Sequence, residues 1–84
     1  MTNPPEITYR DGPTGPRAAL IGGPDIWEII QTLNGYRGSR DIAILATSRL
    51  VDLTEQQVRT AVAYHAANPE EIDARIAYNA RPVP

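Results

Sequence analysis

The chain contains no cysteine. That excludes a disulfide framework and any thiolate metal site, and it fits a reducing cytoplasm. Lysine is missing as well, so all eight basic residues are arginine. Two origins are compatible with this: the coding bias of a GC-rich genome, or a use for guanidinium groups, which grip carboxylate and phosphate in a bidentate way that an ammonium does not. No apolar run approaches the ~20 residues a membrane span requires, and no secretory leader pattern follows Met1. A soluble, cytoplasmic protein without membrane contact is the expectation. One histidine is present, His65. Without cysteines or carboxylates at ligand spacing it builds no zinc site, so it is expected in the core or an interface. No nucleophile–base pair, ligand cluster or cofactor loop stands out. Neither an enzyme nor a bound metal or cofactor is expected.

What is present fits one small domain over residues 1–84. A chain of this size buries only about 60–65% of its unfolded surface, and oligomerisation or a partner often supplies the remaining burial. The formal net charge of −2 argues against strong free-standing nucleic-acid binding, which a basic patch usually dominates. A local basic surface remains compatible with it.

Ile7–Arg10 alternates apolar and polar residues of β-favouring types and predicts a strand. Asp11–Pro16 is dense in turn residues, and Arg17–Ile21 predicts a second strand closed by Gly22-Gly23. Residues 7–23 thus form a β-hairpin, which must lean on helices or a second copy because two strands alone are marginal. Gly22-Gly23 lacks the spacing and the lysine or hydroxyl residue of a phosphate cradle, so it reads as a strand-to-helix turn.

A helix should open at Asp25, with Glu28 completing a capping box. Ile26, Ile29, Ile30 and Leu33 fall at i, i+3, i+4 and i+7, the stripe of an amphipathic helix. Asn34-Gly35 should end it in a left-handed cap. Ser39 caps a short second helix through Ala46, with a turn over 47–52. Thr54 and Gln57 form a second capping box, opening a third helix, and Leu53 is placed to staple against Val58. Asn68-Pro69-Glu70-Glu71 joins an N-cap residue, a proline at N1 and first-turn acids, opening a fourth helix to about residue 80. The acids Glu70, Glu71 and Asp73 complement the helix dipole; a docking surface for a basic partner is the functional alternative.

The expected fold is mainly α: a short N-terminal β-hairpin, a three-helix helix-turn-helix (homeodomain-like) bundle over 25–67, and a C-terminal helix over 69–80 for partner contact. Ala43, Leu50 or Leu53, Val58 and Val62 would form the core of the helix-turn-helix. If that motif reads DNA, its second helix enters the major groove. Gln56, Arg59 and Thr60 would then face bases, glutamine suiting adenine and arginine guanine. Arg37, Arg40 and Arg49 would hold phosphates. Asp52 and Glu55 put negative charge nearby, so a purely protein-binding three-helix unit stays open beside the DNA reading. The narrow apolar stripe of the last helix suggests packing on another chain, with Tyr9, Trp27, Ile72, Ile76 and Tyr78 as partner or dimer contacts.

Three stretches resemble a widespread prokaryotic family of small domains of unknown function, whose members are called VapB-like antitoxins. Arg17–Ile30 (RAALIGGPDIWEII) is similar to that family's strand, glycine turn and first helix. Leu53–Tyr64 (LTEQQVRTAVAY) is similar to its LTxxQVRxALAY helix, and Asn68–Ile76 (NPEEIDARI) to its PEEIDxxI tail. Gly23-Pro24 stands where the family has a basic residue. Many members are encoded beside PIN-domain ribonuclease toxins. The resemblance therefore implies a dimeric helix-turn-helix antitoxin that neutralises a PIN-type toxin and represses its operon by binding operator DNA. The competing expectation is a protein-interaction or oligomerisation module with no DNA role.

Overall fold

The computed structural model describes residues 6–13 and 15–80. Residues 1–5 and 81–84 lie outside the described residues, as does Thr14 in the expected turn. Two strands and four helices follow in order: β1 (Ile7–Arg10), β2 (Arg17–Leu20), α1 (Ile26–Asn34), α2 (Arg40–Leu50), α3 (Glu55–Ala67) and α4 (Pro69–Asn79). The fold is mainly helical with an N-terminal hairpin, as the patterning predicts.

β1 and β2 pair antiparallel, with Ile7 opposite Leu20, Tyr9 opposite Ala18 and Arg10 opposite Arg17. Ile7, Ala18 and Leu20 join the hydrophobic core, so the hairpin leans on the helices of its own chain. Gly22, at φ +69°, takes the left-handed conformation that reverses the chain between β2 and α1.

α1 is the central element. Ile26, Ile29, Ile30 and Leu33 are essentially fully buried, and α2, α3, α4 and β2 all pack against this helix. At its C-terminus Gly35 stays right-handed (φ −75°); the left-handed residue of this connection is Gly38, at φ +98°. The helix thus ends at Gly35 as expected, but without the left-handed cap.

α2 is longer than expected and runs on through Leu50. Residues 47–50, read as part of a turn, are helical because Thr47 and Ser48 are buried against the rest of the bundle. The helix stops at Asp52, whose φ of +57° suits aspartate better than most residues. The Leu53 N–H closes the end by donating to the Ser48 carbonyl (2.9 Å). Leu53 packs on the core, whereas Leu50, the other candidate there, is 68% exposed. α3 opens with the expected capping box: Gln57 N–H donates to Thr54 Oγ1 (3.0 Å), and Thr54 N–H donates to Gln57 Oε1 (2.9 Å).

α4 corrects one expectation. Ile72 was expected to contact a partner chain, yet it is 1% exposed and lies in the core of its own subunit. α4 packs on both α1 and α3, so one large side chain per turn suffices to anchor it. Ile76, one turn further on, also packs partly buried against the core. Asn68 makes no side-chain cap; its amide donates backwards to the Tyr64 carbonyl instead (3.1 Å).

Thr47 Oγ1 is fully buried and has no hydrogen-bond partner. A buried hydroxyl left unpaired costs about 1–3 kcal/mol, and valine keeps the shape without it. Thr47→Val should therefore raise the unfolding free energy by about 1 kcal/mol, measured by urea denaturation. An unchanged or lower midpoint would show that the hydroxyl is satisfied.

Candidate functional site

The buried polar centre of the fold is Asp25. It occupies the N-cap position of α1 with extended backbone angles, yet its carboxylate makes no cap bond. The expected box with Glu28 is therefore absent. Arg17 Nε donates to Asp25 Oδ2 at 2.8 Å, Arg10 Nη1 donates to Oδ1 at 3.4 Å, and the Trp27 indole N–H donates to Oδ2 at 3.2 Å. Arg10 also donates to the carbonyls of Leu20 and Gly23. The hairpin register explains this arrangement. Arg10 and Arg17 stand directly opposite each other, where like charges destabilise a strand pair. One buried carboxylate between them turns that repulsion into a clamp holding the hairpin to α1. Charge-assisted bonds are roughly twice as strong as neutral ones, so the guanidinium groups win the carboxylate from the helix N–H groups.

Beside this clamp opens a shallow cleft of about 250 Å³, lined by Arg17, Asp25, Trp27, Glu28, Arg75, Tyr78 and Asn79. It unites Trp27 and Tyr78, two residues expected to contact a partner. Tyr78 is 48% exposed, and an adjoining depression is lined by Glu71, Ala74, Arg75 and Tyr78. Burial raises the Glu28 carboxyl above its usual range; the Asp25 charge adds to this, and Arg10 and Arg17 oppose it.

Tyr9, also expected at an interface, lies elsewhere. Its hydroxyl meets Tyr64 Oη at 2.8 Å, and Tyr64 donates to both oxygens of Glu71 (2.8 and 3.0 Å). With Tyr64 donating to Glu71, Tyr9 donates to Tyr64. The rings meet edge-on, with centroids 6.4 Å apart. This chain ties β1 to α3 and α4. Burial, then the bonds to Tyr9 and Glu71, push the Tyr64 hydroxyl far above its ordinary value. His65 pairs with Asp73 (2.8 Å), joining α3 to α4. Among the described residues no three His, Asp or Glu side chains gather where they would hold an ion.

Only part of the expected DNA-contact set comes together. Gln56 and Arg59 are exposed one turn apart on α3. Thr60 is turned inward: it is 7% exposed and its hydroxyl donates to the Gln56 carbonyl (3.0 Å). This corrects its placement among base contacts, since the helical period carries position 60 round towards the core. Arg59 is held by Asp41 across the α2–α3 interface (3.3 Å). Arg37, Arg40 and Arg49 are all exposed. Nine residues separate Arg40 from Arg49 in α2, a turn of about 180° and a rise of about 13.5 Å, so these two do not share a face. Asp25, Arg10, Arg17, Tyr64 and Glu71 were not singled out from the sequence for these roles. The one signal available was the pair of arginines at matching hairpin positions.

Comparison with family models, curated proteins and solved structures finds no match. No helix among the described residues is long and apolar enough to cross a membrane.

Asp25→Ala leaves two guanidinium groups facing each other. Breaking a buried pair costs about 3–5 kcal/mol; because Arg10 and Arg17 are 39% and 29% exposed, solvent screening reduces the expected loss to about 2–3 kcal/mol. Asp41→Ala, which breaks an exposed pair, should cost under about 0.5 kcal/mol. Equal losses in chemical denaturation would contradict the clamp. Glu28 gives a pH test. Its raised folded pKa means a stabilising contribution present below the unfolded value and lost as pH rises through the folded one. Glu28→Gln should therefore melt above the wild type at neutral pH and together with it in acid. A pH-independent difference in Tm would contradict the shift.

Proposed function

We propose that this chain is an antitoxin-like protein of a type II toxin–antitoxin pair, acting in the cytoplasm as a homodimer. It binds and neutralises a PIN-type ribonuclease toxin, and its helix-turn-helix represses the operon that encodes both. The observation that carries the partner-binding part is the outer surface of α4 with its neighbouring cleft, where Trp27, Arg75 and Tyr78 line one depression. Aromatic and arginine side chains around a concavity are the residue types that dominate binding hot spots. The resemblance of Arg17–Ile30, Leu53–Tyr64 and Asn68–Ile76 to VapB-like antitoxins supplies the kind of partner. Operator contact falls to the exposed first turns of α3, through Gln56 and Arg59.

A second reading, a protein-interaction module with no DNA role, is favoured by two observations. Arg59 already pairs with Asp41, and Arg40 and Arg49 lie on opposite sides of α2.

Co-expression with an adjacent PIN-type gene should yield a stable complex and restore growth. Tyr78→Ala should weaken that complex by about 2 kcal/mol, roughly thirtyfold, with the circular dichroism spectrum of the wild type. No complex and no rescue would refute toxin binding. Fluorescence anisotropy against upstream promoter DNA separates the two readings: operator binding must be present at about 50 mM salt and fall steeply by about 200 mM. Absence of binding at both would leave the protein-only module.

A further inference from the structure

We propose that the outward face of α2 is a self-association surface, on which α2 of a second copy packs antiparallel. The helix carries apolar residues on both faces. Its inward face carries Ala43, Ile44, Thr47 and Ser48, two of them polar and one, Thr47, with an unpaired buried hydroxyl. Its outward face carries Ile42, 63% exposed, Leu45, 37% exposed, and Leu50, 68% exposed. Ile42, Leu45, Ala46 and Arg49 fall at i, i+3, i+4 and i+7, so they form a single stripe, with Leu50 at its edge. A helix stabilised only by its own chain would carry polar residues on its outer face.

The charges on the helix identify the occupant. α2 has an acid, Asp41, in its first turn and a base, Arg49, in its last. They lie four residues either side of Leu45, so an antiparallel copy centred near Leu45 and Ala46 sets each Arg49 beside the other copy's Asp41, which is 83% exposed and binds Arg59 of its own chain through Oδ1 alone. The two helix dipoles also oppose each other in that arrangement. At the centre the small Ala46 offers a hole for Leu45 of the other copy. A surface whose charge pattern is complementary to itself under a two-fold rotation is what an isologous dimer requires. The apolar stripe supplies the centre of the ~800 Å² per partner that a standard interface buries, with Asp41 and Arg49 as its charged pair.

This surface specifies the dimer named above but does not rest on toxin or DNA binding, because the test uses the full chain alone. Sedimentation equilibrium should show a wild-type dimer. Ile42→Glu and Leu45→Glu should each raise the dimer Kd by at least about a hundredfold, with the circular dichroism spectrum of the wild type. Ile42 is exposed enough for its variant to fold even if the Leu45 variant does not. Because the chain lacks cysteine, Ala46→Cys should form a covalent dimer on mild oxidation, while Ala63→Cys on the exposed side of α3 should not. A wild type that is monomeric at all concentrations, an Ile42→Glu dimer of unchanged affinity, or equal cross-linking of the two cysteine variants would each overturn the proposal. None of these outcomes would bear on whether the α4 surface captures a toxin.

Discussion

The fold depends on one carboxylate. Asp25 receives both arginines that close the hairpin and the indole of Trp27, and without it β1 and β2 would end on facing positive charges. A two-stranded sheet has little stability of its own, so its place against α1 has to come from outside the strand pairing. Leu20 and Ile7 supply the apolar part of that attachment and Asp25 the directional part. The same residue sits where α1 begins, so a single side chain fixes the hairpin's position relative to the helix at the centre of the bundle.

That placement reaches the far end of the chain. The cleft beside Asp25 is closed on its other side by Arg75, Tyr78 and Asn79 of α4. Two further links run from the sheet and α3 to the same helix, through Tyr9–Tyr64–Glu71 and through His65–Asp73. α4 contributes few buried apolar residues, and these polar links compensate by setting its rotation as well as its position. The hairpin, α1 and α4 are thereby tied to one another around the cleft that Trp27 and Tyr78 line.

The parts legible in the sequence were those decided within one helical turn or one strand. The α1 stripe, the hairpin and the Thr54–Gln57 box follow from spacing and local chemistry, and they appear in the expected places. Asp25 did not, because the local rule assigned its carboxylate to helix N–H groups while two distant guanidinium groups offered a stronger interaction. Ile72 and Thr60 were misplaced for a related reason. A stripe of two isoleucines looks too narrow to bury until two other helices form the groove that receives it, and Thr60 looks exposed until the phase of α3 is fixed by Val58, Ala61 and Tyr64. Tyr64 carried no signal of its own, since its partners come from β1 and α4.

α2 shows the opposite relation between sequence and stability. It buries Thr47 and Ser48 beside Ala43 and Ile44 while Ile42, Leu45 and Leu50 face out. Turning the helix to bury Ile42, Leu45 and Leu50 would expose Ile44 and pull Asp41 away from Arg59, and the short connections at Gly38 and Asp52, both in the left-handed region, leave little freedom for such a rotation. α2 therefore keeps an unpaired buried hydroxyl and three exposed aliphatic side chains, a combination that lowers the stability of the chain on its own. In a protein of this size a buried core leaves only a small margin, so the same residues that weaken the chain on its own would strengthen the proposed assembly by whatever apolar area it buries. Stability and association are then coupled: a partner that covers α2 raises the free energy of unfolding in proportion to how tightly it binds.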